Sequence, residues 1–195
     1  MRAPSVAAAL LAATLVAGCS AEAASVPAPQ GATSAVPSAT GTGGARQLDP
    51  TDLAWAQLLK PMDEQVMAMV QLAPSHAAAP AVRQLAQRIS PDVAAELASL
   101  DGLLRSAGQD PAVNVHEGHH MPGMMTVDEL TSLGESQGAA FDRLFLRRLR
   151  DHGEQAARLA ALEGQAGSDP ASRALARTIA AARAGQLAAL TKAGG

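Results

Sequence analysis

Tyrosine is absent from the chain, and two phenylalanines and one tryptophan are its only aromatic residues. Sheets draw on aromatic and β-branched side chains to fill their pleated faces, so this scarcity argues against a β fold. A core must instead be built from Ala, Leu, Val and Met, which suits packed helices. Cysteine occurs once, so no disulfide can form within one chain. Positive charge is not in excess either. The formal net charge is −3, and no Lys/Arg stripe alternates with aromatics, which argues against a nucleic-acid partner. The one local basic cluster, Arg143, Arg147, Arg148 and Arg150, reads as a solvated helix face.

The single cysteine has an informative position. "MRAPSVAAALLAATLVAGCS" opens with Arg2 and continues in an apolar run from about Val6 to Ala17, too short to span a bilayer. The run closes on Val16-Ala17-Gly18, small residues directly before Cys19. This pattern resembles the bacterial lipobox, in which signal peptidase cleaves before a cysteine that carries lipid. The resemblance implies a signal peptide over 1–18, a lipidated Cys19, and a mature protein held by its lipid to the outer side of a bacterial membrane. From Ser20 to about Gln47 the composition is Ala, Ser, Pro, Gly and Thr, with little charge or bulky apolar surface. Such a segment buries too little to offset its ordering entropy. Residues 19–48 are therefore expected to form a disordered tether, with an r.m.s. reach of roughly 30 Å.

The rest of the chain, 49–195, repeats itself. At an offset of 90 residues "PAVRQLAQRISPDVAAELASL" (80–100) lies over "PASRALARTIAAARAGQLAAL" (170–190). The same offset puts Asp52 on Asp142, Trp55 on Phe145, Leu59 on Leu149 and Gln65 on Gln155. Each half reads as a pair of helices. Leu59, Met62, Val66, Met69 and Val70 recur at helical spacing, with Asp49-Pro50 as cap and first-turn proline. A partner helix runs from Pro80 to about Ala107, where Ser90-Pro91 is expected to kink or restart it. Leu144, Phe145, Leu149, His152, Ala156 and Leu159 form the stripe of the second half, and Asp169-Pro170 starts the last helix. Thr126 and Glu129 make a capping box for a short extra helix. Two such hairpins with apolar inner faces predict an all-α fold, a four-helix bundle.

The chemistry is concentrated in the connection at 108–125, which contains "HEGHHMPGMM". Its first five letters match the H-E-x-x-H of zinc proteases, which needs both histidines on one helical face, a third ligand and a sheet beneath. The segment lies between Pro111 and Pro122-Gly123, outside the periodic stretches, so the protease reading fails. Glu117 and His120 also mimic the Glu-x-x-His of di-iron bundles, but no inward-facing carboxylates from several helices are expected to complete that site. What remains is donor chemistry. His116, His119 and His120 with Met121, Met124 and Met125 place three imidazoles and three thioethers within ten residues. Thioethers suit Cu(I) and imidazoles accept either oxidation state, so copper is the expected ligand.

These residues also resemble a known family. "MPGMMTVDELTSLGESQGAAFDRLFLRRLRDHGEQAARLA" is similar to the bacterial domain of unknown function 305, ferritin-like four-helix proteins, many of them exported lipoproteins and some linked to copper handling. The similarity is strongest at Gly123-Met124-Met125, Phe141-Asp142, Phe145-Leu146 and His152. The family usually carries a His-His pair on the first helix of each repeat. Here the second pair falls on His152-Gly153 and the first on Met62-Asp63, so that site is largely dismantled. Met62 and His152 nevertheless occupy equivalent positions. They are expected either to face each other as a thioether–imidazole pair or to act as a core methionine and a buried histidine.

The expected function is thus a lipid-anchored copper-binding protein rather than an enzyme, with an envelope interaction module as the alternative and no protein partner identifiable. Replacing Cys19 by Ala should release the protein from the membrane fraction or leave it unprocessed. Fractionation and migration identical to wild type would contradict the lipid anchor.

Overall fold

A computed structural model describes residues 47–119 and 121–193. The expected signal peptide, Cys19, nearly all of the expected tether, and His120 lie outside the described residues. Five helices follow in order: α1 (Pro50–His76), α2 (Pro80–Ser106), α3 (Val127–Glu135), α4 (Gly138–Ala166) and α5 (Pro170–Ala193). No strand occurs among the described residues; a lone bridge joins Ala77 to Gly138. α1 packs on α2 and α4, and α5 on α4 and α2, so the four long helices close a bundle with α3 laid against α4.

Local signals explain the helix boundaries. Asp49 accepts a hydrogen bond from the Thr51 amide at 2.9 Å, and Pro50 fills the first turn, where a missing N–H costs nothing. Thr126 and Glu129 close their capping box in both directions and open α3. α2 runs unbroken through Pro91, and α1 through Pro61 and Pro74, so these prolines start no new element.

The inner faces form two apolar layers. Trp55, Leu59, Met62, Leu100, Ala160 and Ile179 belong to one. Val66, Met69, Ile89, Phe141, Phe145 and Leu190 belong to the other. Between them, at one level on all four long helices, sit buried polar groups: Asp63, Glu96, His152, Arg183 and Gln186.

The duplication is visible in the hydrogen bonding. Asp142 on α4 accepts from the Ala79 amide at 2.9 Å, at the start of α2. Its repeat equivalent, Asp52 on α1, accepts from the Asp169 amide at 3.0 Å, at the start of α5, and also from Ser168 at 3.0 Å. Each repeat thus caps a helix of the other with the same residue. Asp169 in turn accepts from the Ala171 and Ser172 amides at 2.9 and 2.8 Å. Glu163 is buried beside this arrangement (2% exposed), at the position where the first repeat has Ala73. A Cβ at Gly167 would lie 2.3 Å from Glu163 Oε1 and 2.7 Å from Asp52 Oδ1, so only glycine permits the chain to pass this close. Burial, the Asp52 carboxylate, and then Asp169 and Asp49 push the Glu163 carboxyl up to about 8.

A carboxyl raised in the fold holds its proton while the unfolded chain has lost it. Its stabilising contribution is complete below the ordinary glutamate value of 4.5 and is lost as pH rises through about 8. Glu163→Gln, which cannot ionise, should therefore flatten the fall in stability between those pH values by up to about one proton in the linkage slope. Denaturant melts at pH 5, 7 and 8.5 measure it. Parallel wild-type and variant curves would contradict the assignment.

Candidate metal centre

The 108–125 connection is shaped by a succession of short turns. Gly108, at φ 72°, turns the chain away from α2, and Gln109 donates back to the Leu104 carbonyl at 2.9 Å. Asn114 Oδ1 accepts from the His116 amide at 2.9 Å, and the His119 amide donates to His116 O at 3.0 Å. These are turns rather than a helix, so His116 and Glu117 do not lie on the helix that H-E-x-x-H requires. The next turn carries Pro122-Gly123 and closes with Met124 N to Met121 O at 3.1 Å.

One side chain fastens the loop to the bundle. Gln65 on α1 accepts from the Met125 amide at 2.7 Å and donates to the Met125 carbonyl at 3.0 Å. Gly123 lies flat on the same surface at φ 81°, where a Cβ would stand 2.6 Å from Gln155 Cβ and 3.1 Å from the Met62 methyl. Any larger residue there meets both a strained backbone and two packed side chains.

The loop, Gln65 on α1, and Val127 and Leu130 on α3 line a half-open pocket of about 360 Å³. His116, His119, Met121, Met124 and Met125 all line it, together with Gln65 and Glu117. Five of the six donors named from the sequence are thus brought together, and the sixth, His120, lies outside the described residues. The imidazoles of His116 and His119 have centroids 6.1 Å apart. His116 Nε2 is buried and has no hydrogen-bond partner among the described residues, the condition expected of a group reserved for a ligand. The thioethers are not equivalent. Met125 is turned into one apolar layer (8% exposed), Met124 packs against the other, and Met121 is half-buried. Among the described residues no three His, Cys, Asp or Glu side chains are grouped to hold an ion.

Met62 and His152, equivalent by repeat, have different surroundings. Met62 belongs to an apolar layer, with its methyl against Gly123. The described contact of His152 is with the neighbouring residue: its Nε2 lies 3.2 Å from Asp63 Oδ1. Burial lowers the His152 pKa, an effect that Asp63 opposes. Asp63 also contacts Arg183 Nη2 at 2.7 Å, and the same nitrogen donates to Glu96 Oε2 at 2.6 Å. Arg183 Nη1 lies 3.2 Å from both Glu96 Oε1 and Gln186 Oε1. Burial raises Glu96 to about 7 against the pull of Arg183, with Asp63 adding to the rise. The expectation that inward-facing carboxylates are missing is therefore corrected: Asp63 and Glu96 both face inward, and Arg183 engages both.

The family model of the domain of unknown function DUF305 matches residues 52–193. The chain belongs to the DUF305 family. Solved DUF305 structures have the same fold. A putative secreted protein from Streptomyces coelicolor is 19% identical, with a TM-score of 0.65, over 74% of this chain and 94% of that one. A fragment from Deinococcus radiodurans is 21% identical, with a TM-score of 0.67, over 75% and 97%. CopM in its Cu(I)-bound form is 19% identical, with a TM-score of 0.61, over 72% and 93%; Cu(II)-bound and Ag-bound forms of CopM match as well. No curated protein matches the chain.

The buried polar layer is what sequence reasoning missed in this DUF305 chain. A signal existed: at the 90-residue offset Arg183 falls on Val93, Asp63 on Gly153 and Glu163 on Ala73. A polar residue on an apolar stripe, where its repeat partner is apolar or small, marks a buried polar group.

Proposed function

We propose that this chain is an exported, lipid-anchored protein that captures or buffers copper in the pocket lined by the 116–125 loop, α1 and α3. One observation carries the reading. A pocket of about 360 Å³ is lined jointly by two imidazoles and three thioethers, and the buried Nε2 of His116 has no hydrogen-bond partner among the described residues. Mixed imidazole and thioether donors favour soft monovalent ions, Cu(I) and Ag(I), and Glu117 is the one carboxylate among the described lining residues. His116, His119, Met121 and Met124 would hold the ion, with His120 as a further imidazole and Met125 as both donor and core anchor. The Cu(I)- and Ag-bound forms of CopM, a protein with the same fold, support this choice. Export is supported by the likeness to a putative secreted protein and by the lipobox-like Val16-Ala17-Gly18-Cys19. No described helix is long and apolar enough to cross a membrane; the proposed attachment is through lipid at Cys19.

The reading is of a binding protein rather than an enzyme. The carboxylates a ferritin-like oxidase needs, Asp63 and Glu96, are taken by Arg183. His152 and Met62 then serve the bundle's stability.

Imidazole ligates only as the free base, whereas thioethers do not titrate. Replacing His116, His119 and His120 together by Ala should abolish Cu(II) binding while sparing part of the Cu(I) affinity; Cu(II) capture by wild type should also weaken toward about pH 5. Replacing Met121, Met124 and Met125 should cost mainly Cu(I). Competitive titration with chromophoric chelators of each oxidation state measures both. If both triple variants hold Cu(I) and Cu(II) as tightly as wild type, the loop is a linker and the proposal fails.

A further inference from the structure

The polar layer of the bundle has the composition of a metal site. Two carboxylates, an imidazole and an amide oxygen converge from all four long helices: Asp63 on α1, Glu96 on α2, His152 on α4 and Gln186 on α5. All are within 8% of full burial. Carboxylate, amide carbonyl and imidazole are the donors from which divalent-cation sites are assembled. Here they surround a cation that belongs to the chain itself.

Arg183 is fully buried. Its Nη2 stands 2.7 Å from Asp63 Oδ1 and 2.6 Å from Glu96 Oε2, the distances of short charge-assisted hydrogen bonds. Nη1 lies 3.2 Å from the remaining Glu96 oxygen and from Gln186 Oε1. The donor set is not exhausted by the guanidinium. Asp63 Oδ2 and His152 Nδ1 are buried without a hydrogen-bond partner among the described residues. The cation is one of three members without a like counterpart in the other repeat, since Asp63 corresponds to Gly153 and His152 to Met62. Glu96 and Gln186 are equivalents, whereas Arg183 corresponds to Val93, which is buried in the apolar layer.

We propose that Asp63, Glu96, His152 and Gln186 form a cation site of the divalent-metal donor class, that its resident occupant is the Arg183 guanidinium, and that the bundle interior is thereby closed to external metal. A guanidinium matches carboxylates in pairs and cannot be deprotonated, so it is a permanent counter-charge. It also explains why no three acidic or histidine groups meet at one point: the planar cation fills the centre and holds the oxygens at its own radius. This inference is independent of the copper reading of the loop.

The test substitutes Val, the residue of the other repeat, for Arg183 in the full chain and titrates with Co(II). Visible absorption reports the coordinated ion, and thermal melts report the fold. The loop is unchanged in every protein compared, so its own signal cancels. Wild type should gain no Co(II) above that baseline. Arg183→Val leaves two buried carboxylates without a counter-charge and should lose melting temperature. It should then bind one further equivalent of Co(II) and recover its melting temperature as it does so. Adding His152→Ala should weaken that extra binding by at least about tenfold. Arg183→Val with Glu96→Gln carries less uncompensated charge, folds more readily, and should still show the extra ion, more weakly. The proposal is overturned if neither variant acquires a Co(II) band or a metal-dependent rise in melting temperature. It is overturned equally if wild type binds the additional equivalent.

Discussion

A charge buried at the centre of a protein must be paired where it stands, and Arg183 sets that requirement here. Its guanidinium reaches Asp63 on α1 and Glu96 on α2 directly, and His152 on α4 through Asp63. Removing one partner of such a group costs about 3–5 kcal/mol, because the other is left uncompensated. Slipping any of the four long helices by one residue would incur that cost. The apolar layers above and below tolerate exchange among similar side chains; the polar layer between them does not, and so fixes the register. At the ends, the reciprocal caps from Asp52 and Asp142 tie the same helices across the repeats.

This division of labour frees the connection between repeats. The bundle is held by its own core and caps, so the segment after α2 need contribute little to stability. It carries histidine, methionine, proline and glycine in proportions that a core would not accept. It is nonetheless placed. The two hydrogen bonds of Gln65 to Met125, and the close seat of Gly123 against Gln155 and Met62, hold the Met121–Met125 end of the loop against α1 and α4, while His119 stays exposed. Gln65 and Gln155 are repeat equivalents with different tasks, one clasping the loop backbone and the other forming part of its floor. A duplicated frame has thus become asymmetric where the chemistry sits.

Much of this was legible in the sequence, for identifiable reasons. Helical spacing at Leu59, Met62, Val66, Met69 and Val70 predicts burial, and all five are buried. Asp49-Pro50, Thr126 with Glu129, and Asp169-Pro170 mark helix starts because caps are local interactions between neighbours in sequence. The matching of Asp52 with Asp142 was visible, but not its meaning, since each aspartate bonds a backbone amide in the other half. The polar layer was hidden for the same reason. Its members come from four helices, the nearest pair on different helices more than thirty residues apart, and no local pattern pairs Asp63 with Arg183. In the loop, composition named the donors, whereas the cavity depends on Gln65, whose role only the fold supplies.

Silver(I) is diamagnetic and has the donor preferences of Cu(I), so it can report the site residue by residue. Protein labelled with ¹³C at the methionine methyls gives one signal per methionine. Adding one equivalent of Ag(I) should shift the Met121 and Met124 methyls and leave Met67 and Met69, which lie along α1 away from the loop cavity, where they were. Unmoved Met121 and Met124 signals in the presence of bound silver would contradict a soft-metal site in the loop.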